Sequence, residues 1–152
     1  MPQVSTVPPE ALPQIPSALQ VEHRVIHEAL LRATKAPGDI GTAARELAGA
    51  LHDHFVREEE IALPPLGLLA ALARGEFTPE MRAVLPMTEA LRAELPRMLD
   101  EHQAIHAATR RLGEVARKAG NAEVQQLAEA LALHAQSEEE VFYPAALLVG
   151  EV

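Results

Sequence analysis

Two stretches of this chain set a histidine four residues ahead of the first of three glutamates. They read Leu51-x-x-His54-x-x-x-Glu58-Glu59-Glu60 and, 80 residues later, Leu131-x-x-His134-x-x-x-Glu138-Glu139-Glu140. Two others carry a Glu-His pair followed by a further histidine: Glu22-His23-x-x-Ile26-His27 and, 79 residues later, Glu101-His102-x-x-Ile105-His106. On a helix, positions i and i+4 share a face. Each of the pairs His54/Glu58, His134/Glu138, His23/His27 and His102/His106 can therefore reach one point in space. Imidazole nitrogen and carboxylate oxygen are donors for a metal ion, and with no cysteine in the chain the set suits iron, manganese or zinc. No nucleophile–base pairing and no glycine-rich phosphate loop competes with that chemistry.

The residues around each pair give the electrostatic reason for a cation. Leu47, Leu51, His54, Glu58 and Ile61 follow one helical stripe, as do Leu127, Leu131, His134, Glu138 and Val141. Leu19, His23, Ile26, His27 and Leu30 form a third stripe, and Met98, His102, Ile105, His106 and Leu112 a fourth. Every stripe is aliphatic at its ends and ionisable in its middle, so four helices bring two glutamates and up to six histidines into a core. No Lys or Arg lies on the stripes to neutralise them. Burial of such groups is unfavourable by several kcal/mol unless they are paired or coordinated, and a pair of metal cations supplies the missing charge.

The elements that must hold these residues are helical. Ala, Leu and Glu outweigh the sparse Val, Ile and Thr, and aromatics are only 3%, which favours helix over sheet. The spacing predicts helices over 17–35, 40–63, 96–119 and from 122 to 143, with Asp39 or Thr42 as cap of the second. Pro96 fits the first turn of the third helix and Gly120 its C-terminal cap. Pro37-Gly38, Pro64-Pro65 and Pro144 mark the breaks. Because the motifs recur at a fixed offset, each half reads as a helix hairpin. The fold class is all-α: an up-down four-helix bundle with a pseudo-twofold internal repeat. The connection 64–95 holds two weaker helical pieces, 66–74 and 78–95, the second disturbed by Pro86; it is either a lid or a fifth helix. Residues 1–16, proline-rich and without an export signal, read as an extended N-terminal arm, leaving 17–152 as the bundle domain.

His23, His54-x-x-x-Glu58, His102-x-x-x-His106 and His134-x-x-x-Glu138, with Val141-Phe142-Tyr143-Pro144 after the second glutamate run, resemble the hemerythrin-like (HHE cation-binding) family across about residues 17–148. The resemblance implies two iron ions joined by an oxo or hydroxo bridge, with manganese or zinc as substitutes. By it, Glu58 and Glu138 bridge the ions and His23, His54, His102, His106 and His134 are terminal ligands. It also implies a protein that binds or senses a small diatomic ligand, O2 or NO, or peroxide, rather than an enzyme. The alternatives are a di-iron oxidase or peroxide-decomposing enzyme, or iron storage or repair under oxidative or nitrosative stress. The sequence departs from the family pattern in two places. Hemerythrins proper have Asp five residues after the histidine, where this chain has Glu138 and Glu139 at the fourth and fifth places; the internal repeat favours Glu138. His27 duplicates His106, and if both bind, three imidazoles per iron leave no open position for O2.

The remaining composition narrows the partners. Thirteen basic against 22 acidic residues give a charge of −9, which repels phosphate backbones and anionic lipid, so nucleic acid and membrane partners are not expected. The lack of cysteine fits a reducing, cytoplasmic setting, as a monomer or homodimer. His52 lies off its stripe and reads as solvent-facing. Glu59, Glu60, Glu139 and Glu140 read as a solvated face or as acceptors for ligand histidines. Met81, Met87, Phe77 and Phe142 read as core filler, and Tyr143 as bundle-end packing ahead of a hydrogen bond near the site.

Overall fold

Unbranched, helix-favouring side chains make helices of nearly all the residues the structure describes. The structure is a computed structural model and describes residues 12–152; residues 1–11 of the expected arm lie outside the described residues. The helices are α1 (Ser17–Thr34), α2 (Gly38–Arg57), a short α3 (Leu69–Ala73), the long α4 (Leu85–Lys118), α5 (Ala122–Ser137) and α6 (Tyr143–Glu151). Among the described residues there is no strand. α1 packs on α2, α2 on α4, α4 on α5 and α5 on α1, closing a helical bundle.

The bundle buries two apolar blocks with a polar layer between them. Ile26, Leu30, Leu47, Leu51, Ile105, Leu112 and Leu131 belong to one block; Leu63, Leu66, Leu91, Met98, Tyr143 and Ala146 belong to the other. Each of the four long helices passes from one block to the other, and its histidine or His–Glu pair falls at the crossing. α1 and α4 enter from the Met98 side, while α2 and α5 return to it. Leu47, Leu91, Met98 and Leu112 are fully buried, so the layer is walled off from water above and below.

Prolines placed the helix ends differently from expectation. α4 does not begin at Pro96 but at Leu85, with Pro86 in its first turn and Pro96 in its interior. Pro86 loses nothing there, because first-turn N–H groups have no helical partner. An interior proline disfavours the helix by about 3 kcal/mol, but the exposed Pro96 sits between Leu91 and Met98, both fully buried, and their burial offsets it. The 78–95 piece thus resolves into a 3-10 turn, Pro79–Val84, and the start of α4. The fourth rod likewise continues beyond Pro144, which takes a first-turn place in α6. Neither Asp39 nor Thr42 caps α2; Thr42 Oγ1 instead donates to the Gly38 carbonyl at 3.3 Å. Gly120 ends α4 with φ +70°, and Asn121 Oδ1 accepts from the Val124 N–H at 3.1 Å to open α5. Phe77 is no core filler: it lies 64% exposed between α3 and the 3-10 turn.

Both glutamate runs form a turn of π-helix, Glu58–Ala62 and Glu138–Phe142. The Leu63 N–H donates to the Glu58 carbonyl at 2.8 Å, and the Tyr143 N–H to that of Glu138, each five residues back. One extra residue per turn rotates the chain beyond it by about 100°. Leu63 and Tyr143, fifth after each glutamate, are therefore 1% exposed, whereas Val141, placed on the core stripe by α-helical spacing, is 55% exposed.

Residues 12–16 run without regular structure against the 3-10 turn Pro64–Leu68. A Cβ on Gly67 would lie 1.9 Å from the Gln14 carbonyl oxygen, and backbone cannot swing aside as a side chain can. Gly67→Ala is expected to lower stability by about 1–3 kcal/mol through overpacking and to open 12–16 to protease. Urea midpoints and limited proteolysis check this, and a wild-type midpoint with an intact N-terminal segment refutes it.

Candidate metal centre

The polar layer between the two apolar blocks gathers six side chains. His23 from α1, His54 from α2, His102 from α4 and His134 from α5 meet Glu58 and Glu138 from the two π turns, and each is at most 5% exposed. Their ligand atoms form two quartets, His23–Glu58–His134–Glu138 and His54–Glu58–His102–Glu138, each drawn within 4.8 Å. The two glutamates belong to both quartets. Each quartet takes one histidine from each half of the chain.

The outer nitrogens of three of these rings hydrogen-bond a carboxylate, and that of His23 lies near one without a hydrogen bond. His54 Nδ1 lies 3.3 Å from Glu101 Oε1 and His102 Nδ1 lies 2.8 Å from Glu139 Oε1. His134 Nδ1 bonds Glu22, and His23 Nδ1 is 3.5 Å from Glu59 Oε1. A ring that donates its Nδ1 proton outward keeps a lone pair on Nε2, aimed inward. The ring and carboxylate pairs recur at the repeat offset: Glu22 with Glu101, Glu59 with Glu139. Arg57 in turn holds Glu101 by an ion pair.

Apart from the Tyr143 hydroxyl beside His102 and His54, those inward lone pairs face other rings and carboxylates rather than donors. His23 Nε2 is 3.0 Å from His134 Nε2, and His54 Nε2 is 2.8 Å from His102 Nε2. Both oxygens of Glu58 and Oε2 of Glu138 are buried without a hydrogen-bond partner, although His54 Nε2 lies 2.5 Å from Glu58 Oε1. Bare acceptors crowded against carboxylates repel one another unless a cation lies among them. Two nitrogens bound at about 2.1 Å and about 90° apart on one ion stand about 3 Å from each other, which is the spacing of both histidine pairs. The donor set fits a pair of cations sharing two carboxylates.

Local pKa shifts agree with this reading for His23 and His102. Burial pulls His23 and His102 below the ordinary imidazole value, keeping them neutral and able to bind. Burial also lowers His54, but Glu58 and Glu101 outweigh it and leave that ring raised. Glu101 and Glu139 are held below the usual carboxylate range: burial opposes this, and Arg57 with His54, or His102 with His106, prevails.

His27 and His106 stand apart from the quartets. His106 is partly exposed and its Nε2 lies 3.1 Å from Glu139 Oε1, forming a third group with His102. His27 is exposed and joins none of the three groups. Glu138, not the half-exposed Glu139, occupies the shared position, while Glu139 bridges His102 and His106.

Sequence reasoning assigned no role to Glu22 or Glu101, although each precedes a site histidine in both repeats, a signal that was present. It also ranked bundle-end packing above a hydrogen bond near the site for Tyr143. The Tyr143 hydroxyl is 3.0 Å from His102 Nε2 and 3.3 Å from His54 Nε2, and burial beside Glu58 raises its pKa far above the ordinary phenol, so it stays a proton donor. Only the π turn aims it there; a cue was the proline one residue further on in each repeat.

The family model described as Hemerythrin HHE cation binding domain matches residues 14–146. No curated protein and no solved structure matches the chain.

Proposed function

The chain belongs to the hemerythrin HHE cation-binding domain family, and from that premise we propose that it is a di-iron protein that binds or senses O2, NO or peroxide. The observation that carries the reading is the pair of quartets sharing Glu58 and Glu138. Glu58 and Glu138 would hold both ions, His23 and His134 one of them, and His54 and His102 the other. When bound, the irons supply one-electron exchange with a small oxidising ligand. The standing of His27 and His106 outside the quartets supports room for that ligand, since two imidazoles per ion do not fill an octahedron.

The chain's own residues do the rest. The carboxylates Glu22, Glu59, Glu101 and Glu139 fix ring orientation and raise ligand basicity. The apolar blocks exclude water, which keeps charge interactions strong. Tyr143 holds a proton beside His54 and His102. The match between the two halves in the histidine–carboxylate contacts supports an up-down bundle of pseudo-twofold design. No described helix is long and apolar enough to cross a membrane; with no cysteine and a charge of −9, we place the protein in the cytosol.

The test is anaerobic loading with ferrous iron, a count of iron per chain, and stopped-flow mixing with O2, NO and peroxide. Two irons and one oxidation per chain with an optical change are expected; no iron uptake overturns the reading. An oxidase or peroxide-decomposing enzyme is the second reading, favoured by the proton that Tyr143 keeps at the site; many turnovers in the same mixing would establish it.

Tyr143→Phe separates these roles. Iron stoichiometry is expected to hold at wild type, since no donor of either quartet is touched. The metal-free form should lose about 1 kcal/mol with its buried hydrogen bond, read as about 2–4 °C in Tm. Loss of an iron in Tyr143→Phe would place the phenol among the ligands instead.

A further inference from the structure

A cavity of about 560 Å³ opens between α1 and α2 and reaches His23, within the size range of small-molecule sites. Its deep wall is apolar: Leu30 and Leu51 are nearly fully buried, and Phe55 stacks on the His23 ring at 4.7 Å. Its rim is different. Arg24, His27 and His52 are all exposed, line the cavity and make no ion pair with any described residue. Glu59, the acid at the rim, is turned toward His23 at 3.5 Å.

The corresponding place in the second half holds a smaller cavity of about 330 Å³, lined by Thr109, Arg110, Ala128 and Ala132 but by no histidine, which makes it an internal comparison. There His106 and His102 both bond Glu139, at 3.1 and 2.8 Å, so the counterpart of His27 is tied down. Gln103 stands where the first half has Arg24, Ala132 where it has His52, Ala135 where it has Phe55 and Gln136 where it has Val56. The first half has Leu31 where the second has Arg110, and carries its cation instead at Arg24, with one additional imidazole and the apolar Phe55 and Val56, all on one cavity. Arg24 and His52 make no hydrogen bond or ion pair with the described residues, so no polar contact of the framework accounts for them.

We infer that this cavity binds a small carboxylic acid with an apolar chain, its carboxylate at Arg24, His27 and His52 and its chain against Leu30, Leu51 and Phe55 beside His23. On a protein of charge −9 an anion enters only where cations are locally gathered, and a guanidinium with two imidazole donors is such a place. The apolar wall favours a hydrocarbon chain over inorganic phosphate. The site rests on the cavity's own residues. Only its consequence, delivery of a ligand next to one end of the metal pair, depends on the di-iron reading.

Calorimetric titration with octanoate and with octanamide, on the metal-free and the iron-loaded chain, tests it. Octanoate is expected to bind both forms at least tenfold more tightly than octanamide. Arg24→Gln should remove that preference, and Val56→Trp should weaken octanoate at least tenfold by filling the cavity; iron content stays unchanged in both. Arg111→Gln, remote from the cavity and paired with Glu46, should bind as wild type. Equal binding of the two ligands, no octanoate binding, or an unaltered preference in Arg24→Gln overturns the proposal. Octanoate binding by a chain that takes up no iron upholds the cavity and sinks the di-iron reading, whereas two irons without octanoate binding does the reverse.

Discussion

Ferrous iron added anaerobically to the metal-free chain is expected to raise its melting temperature by about 8–16 °C, and a chelator to reverse the rise. The size comes from linkage. An ion that binds only the folded state, present at about a thousandfold its Kd, adds about 4 kcal/mol of stability. For a domain of about 150 residues each kcal/mol moves Tm by about 2–4 °C. The structure supplies the reason for tight and fold-specific binding: four rings and two carboxylates, at most 5% exposed, arrive from four separate segments and exist as a set only when the bundle has formed. Iron would also relieve the facing lone pairs of His23 with His134 and of His54 with His102, so binding would remove a repulsion as well as add bonds. Differential scanning calorimetry with a parallel metal count is the measurement. A Tm indifferent to iron and chelator would mean that the polar layer satisfies itself and that the centre is no metal site.

How much of this was legible in the sequence depends on which period governs each residue. His23, His54, His102 and His134 lie on α-helical stripes that begin in aliphatic residues, so periodicity alone brought them inward. Glu58 and Glu138 come one helical turn after their histidines and were legible for the same reason. The residues just beyond the two glutamates were not. The i→i+5 bonds from Leu63 and Tyr143 change the period for one turn, and Val141 and Tyr143 exchange faces in a way no 3.6-residue repeat contains. The helix ends failed for a related reason. Proline signals a boundary, but Pro86 and Pro96 both lie in α4, and only the burial of Leu91 and Met98 on either side of Pro96 decides which of them begins it. His27 shows the limit of spacing as a guide to ligands. It shares a register with His106, yet the residues beside it, Arg24 and the His52–Phe55–Val56 segment of α2, shape a cavity there in place of the Glu139 bridge.

Glu58→Gln is expected to leave the metal-free fold standing and to lose both ions, whereas His134→Gln is expected to lose one. Glu58 belongs to both quartets, while His134 belongs to one. The amide keeps the glutamate's shape and brings an NH2 that can donate to His54 Nε2, 2.5 Å from the present carboxylate oxygen. Two opposing terms act on the metal-free chain. The attraction between Glu58 and His54 is lost, and the penalty for a carboxylate at 0% exposure with neither oxygen hydrogen-bonded is lost with it. Removing one partner of a buried pair is costly when it strands a charge, but without Glu58 burial favours the neutral His54 ring and none is stranded. The metal-free Tm should therefore stay within about 4–8 °C of wild type, an allowance of about 2 kcal/mol. Metal binding has no such compensation, because a neutral amide replaces a charged donor shared by two cations; affinity should fall at least about a hundredfold, beyond the 10–100-fold that a supporting group alone commands. Iron counts after dialysis, with calorimetry of each metal-free variant, separate the cases. Two irons retained in Glu58→Gln would mean that the carboxylate does not join the ions. Equal losses in Glu58→Gln and His134→Gln would mean that the two quartets fill only as a unit.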